Sequence, residues 1–218
     1  MATRNERQFT VLLVDDHAVV REGYRRLLER RGDIVVIGEA ADAAEAYTLF
    51  CRLAPQVVVM DITLPGVSGI EATRRMLDRE PGARVLIFSM HEDFIFAQRA
   101  LQAGAYGYVT KASAPGVLVE AVLTIAGGKK YLSAAVAQAL ALRAASSDAA
   151  ASNGLSAREF EVLRLLVQGQ SIKDIAHSLR INPKTVSNYQ SAIKQKLGAD
   201  TAIQLLSMAR KLGLEPQS

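Results

Sequence analysis

Four charged side chains stand where apolar runs stop. Val11-Leu12-Leu13-Val14 ends in Asp15 and Asp16, Val57-Val58-Val59-Met60 ends in Asp61, and Tyr106-Gly107-Tyr108-Val109-Thr110 ends in Lys111. Three carboxylates gathered around one ammonium would hold a divalent cation of the Mg2+ type, which takes oxygen ligands and keeps several waters. Asp16 and Asp61 are the expected direct ligands, with Asp15 acting through a water. Cation and Lys111 together would offset the charge of a phosphoryl group. An aspartate carboxylate placed beside that group is a nucleophile able to form an aspartyl phosphate, so Asp61 is the expected attacking residue. Ser89, at the end of the run Val85–Ser89, would offer its hydroxyl to a phosphoryl oxygen.

The charges meet only if the runs are parallel neighbours, and the pattern around them supplies that arrangement. Strand-like runs at Phe9–Val14, Ile34–Ala40, Val57–Met60, Val85–Ser89 and Tyr106–Thr110 alternate with helical periodicities at Val19–Arg31, Ala43–Leu53, Gly69–Arg79, Asp93–Gln102 and Pro115–Ala126. Continuous β-branched runs such as Val57–Met60 suit strands covered on both faces. Five βα units predict an α/β domain over residues 8–128, a doubly wound five-stranded parallel sheet of order 2-1-3-4-5, flavodoxin-like. In that order strands 1 and 3 are adjacent at the topological switch point, which puts Asp15, Asp16 and Asp61 side by side.

The rest of the chain is different in kind. Residues 129–153 predict a linker with an Ala-rich helix over Leu132–Arg143. Residues 154–218 are helical throughout: Ser156 with Glu159 fits a capping box, Ser171 caps Ile172–Leu179, Asn182 and Pro183 start a helix to Leu197 that Gly198 ends, and Asp200 caps a last helix through Leu212. Two short helices joined at Arg180-Ile181 predict an all-α, four-helix helix-turn-helix domain. Its second helix would enter the major groove of duplex DNA. Val186, Ile193 and Leu197 form the expected buried face of that helix.

Charge and composition agree. Residues 1–128 hold 14 basic and 16 acidic residues, whereas residues 154–218 hold 9 and 5, so a polyanion would bind the C-terminal part. Cys51 is the sole cysteine, which excludes an internal disulfide, and it is expected as a small buried residue on a helix. The polar start from Met1 to Gln8 is not a signal peptide, and no apolar run reaches the length of a membrane span. A cytoplasmic protein without membrane association is expected.

Two resemblances sharpen these readings. Leu13-Val14-Asp15-Asp16-His17, Val59-Met60-Asp61 with Pro65-Gly66 and Gly69, Phe88-Ser89, and Ala103 to Lys111 resemble a response-regulator receiver domain. The resemblance implies that Asp61 is the phosphoacceptor, that a sensor histidine kinase is the donor, and that Mg2+ is held by Asp15, Asp16, Asp61 and the Thr63 backbone. It also implies that Ser89 and Tyr108 are the switch pair, with Lys111 binding phosphate, and that the face of the fourth helix, fifth strand and fifth helix changes on phosphorylation. Leu155-Ser156-Ala157-Arg158-Glu159, Ile175-Ala176, Thr185-Val186 and Lys196-Leu197-Gly198 resemble a LuxR-type helix-turn-helix. Together the chain resembles a NarL/FixJ-family regulator, a homodimer when phosphorylated or on DNA, with RNA polymerase as a further candidate partner. By family position Ser187, Asn188 and Ser191 are base-contact candidates, with Thr185 beside them. Lys173, Lys184 and Lys194 suit phosphates.

Several positions depart from these patterns. Ala112, not proline, follows Lys111, which predicts a trans peptide there. Ser187 and Ser191 stand where basic residues are frequent and Tyr189 where histidine is, so charge-driven DNA binding should be weaker. His17 is expected as a helix-start residue and His91 as a residue near the mouth of the acidic site. Two other functions compete. A haloacid-dehalogenase type phosphatase needs a second acid two residues beyond its nucleophile, where this chain has Thr63. A regulator that binds DNA without phosphorylation would not need the acidic pair, Asp61 and Lys111 that the chain retains.

Overall fold

Buried, β-branched strands and amphipathic helices alternate from Phe9 to Ala126, as the periodicities require. The computed structural model describes residues 8–91, 94–145, 154–212 and 214. The chain divides into two compact units, Met1–Ala145 and Ser146–Ser218. In the first unit the strands are β1 (Phe9–Val14), β2 (Ile34–Ala40), β3 (Val57–Met60), β4 (Val85–Ser89), β5 (Gly107–Thr110) and β6 (Tyr131–Leu132). The helices are α1 (Ala18–Glu29), α2 (Ala43–Leu53), α3 (Gly69–Arg79), α4 (Phe94–Gln102), α5 (Pro115–Ala126) and α6 (Ala134–Ala145). Asp93, expected to open the fourth helix, lies outside the described residues.

All strand pairs are parallel, in the order β2-β1-β3-β4-β5-β6. The doubly wound sheet is therefore the expected one with a sixth strand added, since Tyr131 pairs with Gly107 and Leu132 with Tyr108. Leu132 is strand, not the first residue of the Ala-rich helix. Two residues carry no periodicity, so the added strand has no pattern of its own to be read. What admits it is Gly107: a Cβ there would meet the Tyr131 carbonyl oxygen at 2.4 Å. The helix that follows packs on α4 and β5 and buries Val136.

One core joins Val11, Val57, Leu86, Phe88 and Val109 of the sheet to Leu28, Leu118, Val122 and Ile125 of α1 and α5. Burying a side chain of this size stabilises the fold by about 1.5–3 kcal/mol. Cys51 does not join the core. The inward positions of α2 are Ala43, Ala46 and Phe50, and the next residue along the helix is turned by about 100°, so the thiol is exposed.

The second unit contains α7 (Ala157–Val167), α8 (Ile172–Ser178), α9 (Pro183–Leu197) and α10 (Ala202–Lys211). Ser156 and Glu159 form the expected capping box, as do Ser171 and Asp174, and Asn182 caps α9 ahead of Pro183. The last helix is capped by Thr201, not Asp200: the Thr201 hydroxyl accepts from Gln204 N and the Gln204 amide returns to the Thr201 N–H. The cap lies one residue later because Gln204 closes a reciprocal box only with Thr201. On α10, Leu205 and Ala209 are core, while Ile203 and Leu206 are exposed.

Glu159 carries more than its cap. Its Oε2 accepts from Ser156 N at 2.6 Å and from Lys196 Nζ of α9 at 2.7 Å. Burial raises the carboxyl pKa, but the bonds from Lys196 and Ser156 outweigh it and the value lies below the usual glutamate range. The stabilisation is present above the unfolded glutamate pKa, about 4.3, and is lost as pH falls through the folded value. Glu159→Gln should therefore lower the stability of α7 by about 1 kcal/mol at neutral pH and by progressively less toward acid. Amide exchange along α7, measured across pH, checks this; an effect of equal size at acid and neutral pH would contradict the assigned cause.

Candidate functional site

The acidic edge follows from strand register. Val14 lies opposite Met60, so the next residues, Asp15 and Asp61, leave adjacent strands together, and Asp61 N donates to Val14 O at 2.9 Å. Ser89 pairs with Thr110, and Lys111 N donates to Ser89 O at 2.8 Å. All four expected residues thus reach the C-terminal edge of the sheet. Lys111 Nζ lies 2.6 Å from Asp15 Oδ2 and 2.6 Å from Asp61 Oδ2, with all three side chains buried. Asp15 also accepts from His17 N at 2.8 Å, and Arg21 of α1 donates to the Asp15 carbonyl. His17 Nδ1 lies 2.7 Å from Asp16 Oδ1, which draws Asp15, Asp16 and His17 into one cluster.

Burial opposes the charge on Lys111, but Asp61 and Asp15 outweigh it and hold the ammonium pKa above its ordinary value. Burial pushes the Asp61 carboxyl up, against the pull of Lys111. These directions oppose each other on one contact. The short distances favour the ionised pair, because a neutral Asp61 would leave a buried ammonium with a poorer acceptor. Three carboxylates against one ammonium leave the set doubly negative, and all its donors are hard oxygens. The residues present therefore fit a divalent cation of the Mg2+ kind. The Thr63 N–H faces Asp61 Oδ1 at 3.4 Å, so its peptide lies beside the carboxylates.

The switch candidates form a linked set. Tyr108 is fully buried and its hydroxyl donates to the His91 carbonyl at 2.7 Å. Ser89 Oγ accepts from His91 N at 3.3 Å, and His91 Nε2 lies 3.1 Å from Thr63 Oγ1. His91 is thus at the mouth of the site, stacked on Phe96 of α4. Tyr106, the other aromatic of this stretch, precedes β5 and packs at the rim of the core. No cis peptide occurs among the described residues, so Lys111–Ala112 is trans.

In the second unit, α8 and α9 form the two helices of a helix-turn-helix. Val186, Ile193 and Leu197 are buried as expected. Lys173, Lys184, Asn188 and Ser191 are exposed, whereas Thr185, Ser187 and Lys194 are half-buried. The Ser187 hydroxyl donates to Pro183 O at 3.2 Å and that of Ser191 to Ser187 O at 3.0 Å. Each hydroxyl thus spends its one proton on its own helix and keeps only acceptor capacity toward an outside group. The turn is anchored from α7: buried Arg158 donates to Leu179 O at 2.9 Å and pairs with Glu161 at 2.7 Å. Arg180 takes a left-handed φ of 50° there. Sequence gave no sign of that conformation, since glycine is its usual mark.

The chain is similar to known proteins along most of its length. The family described as "Response regulator receiver domain" matches residues 11–123, and "Bacterial regulatory proteins, luxR family" matches residues 153–209. The chain is 35% identical over 207 residues to the response regulator UvrY of Escherichia coli K12, covering 94% of each chain. A LuxR-family response regulator from Aurantimonas is 51% identical, with a TM-score of 0.62 over 63% of this chain and 99% of that one. RcsB from Salmonella enterica serovar Typhimurium, solved bound to promoter P1flhDC with the phosphomimetic BeF3-, is 27% identical, with a TM-score of 0.60 over 94% of this chain and 99% of that one.

Two glycines near Asp61 differ in what they permit. A Cβ on Gly69 would lie 1.8 Å from the Asp61 carbonyl oxygen, whereas Gly66 has a φ of 72° but open space around it. Gly66→Ala should cost only the left-handed strain, roughly 1–2 kcal/mol. Gly69→Ala should cost about 3 kcal/mol or more, because the clash is with backbone. Urea unfolding of both variants checks this, and equal losses would refute the close-approach account.

Proposed function

The chain belongs to the NarL/FixJ family of two-component response regulators, and on that premise we propose that Asp61 takes a phosphoryl group from a sensor histidine kinase to control promoter binding. The protein is a DNA-binding transcriptional regulator with a receiver and a LuxR-type domain. The receiver role is assigned to residues 8–128, the linker to 129–153 and DNA binding to 154–218. The observation that carries the phosphoacceptor reading is the buried Lys111 ammonium, 2.6 Å from both Asp15 and Asp61.

In the proposed reaction an Asp61 carboxylate oxygen attacks phosphorus and the bond from phosphorus to the donor nitrogen breaks. The products are an acyl phosphate on Asp61 and a free donor imidazole. Asp15, Asp16, Asp61 and the Thr63 carbonyl would hold Mg2+, which when bound supplies positive charge against the phosphoryl oxygens. Lys111 keeps a positive charge at the same edge throughout and would move from Asp61 toward a phosphoryl oxygen. Ser89 would donate its hydroxyl to another such oxygen, giving up His91 N. Tyr108 follows, because its hydroxyl is held by the same His91. The chain stores the phosphoryl group and at most speeds its own phosphorylation and dephosphorylation.

In the proposed complex with DNA, α9 lies in the major groove, with Asn188, Ser187 and Ser191 toward base edges and Thr185 beside them. Lys173, Lys184 and Lys194 meet phosphates. Exposed Ile203 and Leu206 on α10 support a homodimer on DNA. RNA polymerase is a further proposed partner. No helix among the described residues is long and apolar enough to cross a membrane. A cytoplasmic location is proposed.

Incubation with Mg2+ and acetyl phosphate should add one phosphoryl group to the wild-type chain and none to Asp61→Asn, read by intact mass. Modification that persists in Asp61→Asn would overturn the assignment. DNA binding should weaken with salt, and Lys184→Ala should reduce the slope of log K against log salt by about 0.9. An unchanged slope would remove Lys184 from the phosphate contacts.

A further inference from the structure

We propose that His17 gives the acidic edge a nitrogen donor, so that its cation site takes a first-row transition ion such as Zn2+ in preference to Mg2+. The inference rests on the acidic edge holding a divalent cation, which its oxygen donors fit. It adds a ligand to the carboxylates and narrows the class of ion.

The imidazole is already drawn into that edge. His17 Nδ1 lies 2.7 Å from Asp16 Oδ1 and 3.3 Å from Asp15 Oδ1. One ligand atom from each of the three residues can be chosen so that all lie within 4.8 Å of one another. Two donors of one ion, at bonds of about 2.1 Å, stand roughly 3–4 Å apart, so small rotations bring the three to a common centre. Lys111 does not compete for these atoms. Its Nζ takes Oδ2 of Asp15 and Oδ2 of Asp61, whereas the atoms gathered about His17 are the Oδ1 oxygens of Asp15 and Asp16. Asp15 thus divides its two oxygens between an ammonium and the imidazole.

Helix capping does not account for the ring. His17 is the N-cap residue of α1, yet its side chain makes no capping hydrogen bond. Its backbone N–H donates to Asp15 Oδ1 at 2.8 Å, which fixes the residue beside the carboxylates, and its side chain is 59% exposed. One side of the cluster therefore stays open to water, which an ion with few protein ligands needs to complete its shell. The other histidine of the first unit is engaged elsewhere, with His91 Nε2 lying 3.1 Å from Thr63 Oγ1.

The ion class follows from the donors. Carboxylates and water suit Mg2+, whereas imidazole suits Zn2+, Ni2+ and Cu2+. A neutral imidazole carries one proton and one lone pair, so coordination through Nδ1 leaves the proton on Nε2. Loss of even an outer partner of a metal ligand costs about 10–100-fold in affinity, and loss of the ligand itself should cost at least as much.

The test titrates the full chain with Zn2+ and separately with Mg2+, in the absence of a phosphodonor, reading affinity by calorimetry and ring nitrogens by NMR. Wild type should bind Zn2+ at least about tenfold more tightly than Mg2+. Of its three histidines, His17, His91 and His177, the Nδ1 resonance of His17 should show the coordination shift. His17→Gln, which keeps a hydrogen-bond donor and removes the imidazole, should weaken Zn2+ about tenfold or more and leave Mg2+ within about twofold. Asp16→Asn should weaken both. Equal losses of the two ions in His17→Gln, or no loss of either, would overturn the proposal. A Zn2+ shift at His91 or His177 in place of His17 would show an adventitious ion only, and would overturn it too. Mg2+ binding with no shift at His17 sinks the nitrogen donor alone. Binding of neither ion by wild type sinks the cation reading of the acidic edge, and this inference with it.

Discussion

The shared ammonium of Lys111 is the contact on which the first unit depends. Strand ends at β1 and β3 bring Asp15 and Asp61 together with their charges buried, an arrangement that repels itself without a cation. Lys111 reaches across from the end of β5, 96 residues from Asp15 and 50 from Asp61, and bonds both. The parallel order is what makes this reach possible, because only parallel strands end at one edge. The same contact leaves the set with excess negative charge, which is what the proposed cation would neutralise.

Much of this was legible in the sequence because burial on both faces leaves little choice of residue. Val11–Val14 and Val57–Met60 are uninterrupted apolar runs, and their ends mark the site. The features that escaped are those with no periodic signal. The strand Tyr131–Leu132 is too short to alternate and depends on the bare Cα of Gly107, a tertiary circumstance. Cys51 was expected to be buried on composition, yet one residue of helical rotation turns it outward. The last helix begins at a cap chosen by Gln204, so Asp200, the acid one residue earlier, is passed over. His91 was visible only as a residue near the site; its carbonyl, which holds Tyr108, could not be read from its side-chain type.

The second unit shows a different balance. The bounds of α9 were legible from Asn182, Pro183 and Gly198, three residues whose local chemistry fixes its ends. What the sequence did not reveal is how the turn before it is held. Arg158 on α7 reaches the end of α8, and Arg180 accepts a left-handed backbone with no glycine to mark it. The serines expected at base edges donate their hydroxyl protons to their own helix, which leaves them only acceptor capacity toward an outside group.

The helix caps of the second unit have a consequence for the order in which the protein forms. Each of its four helices starts at a side chain within a few residues of the amide it satisfies. The sheet of the first unit instead needs Phe9–Val14 to find Val57–Met60 across an intervening strand and two helices. Structures built from near neighbours in the chain form faster than those that need distant ones. Synthesis presents the slow unit before the fast one, so the sheet has the time of translating the second unit in which to close.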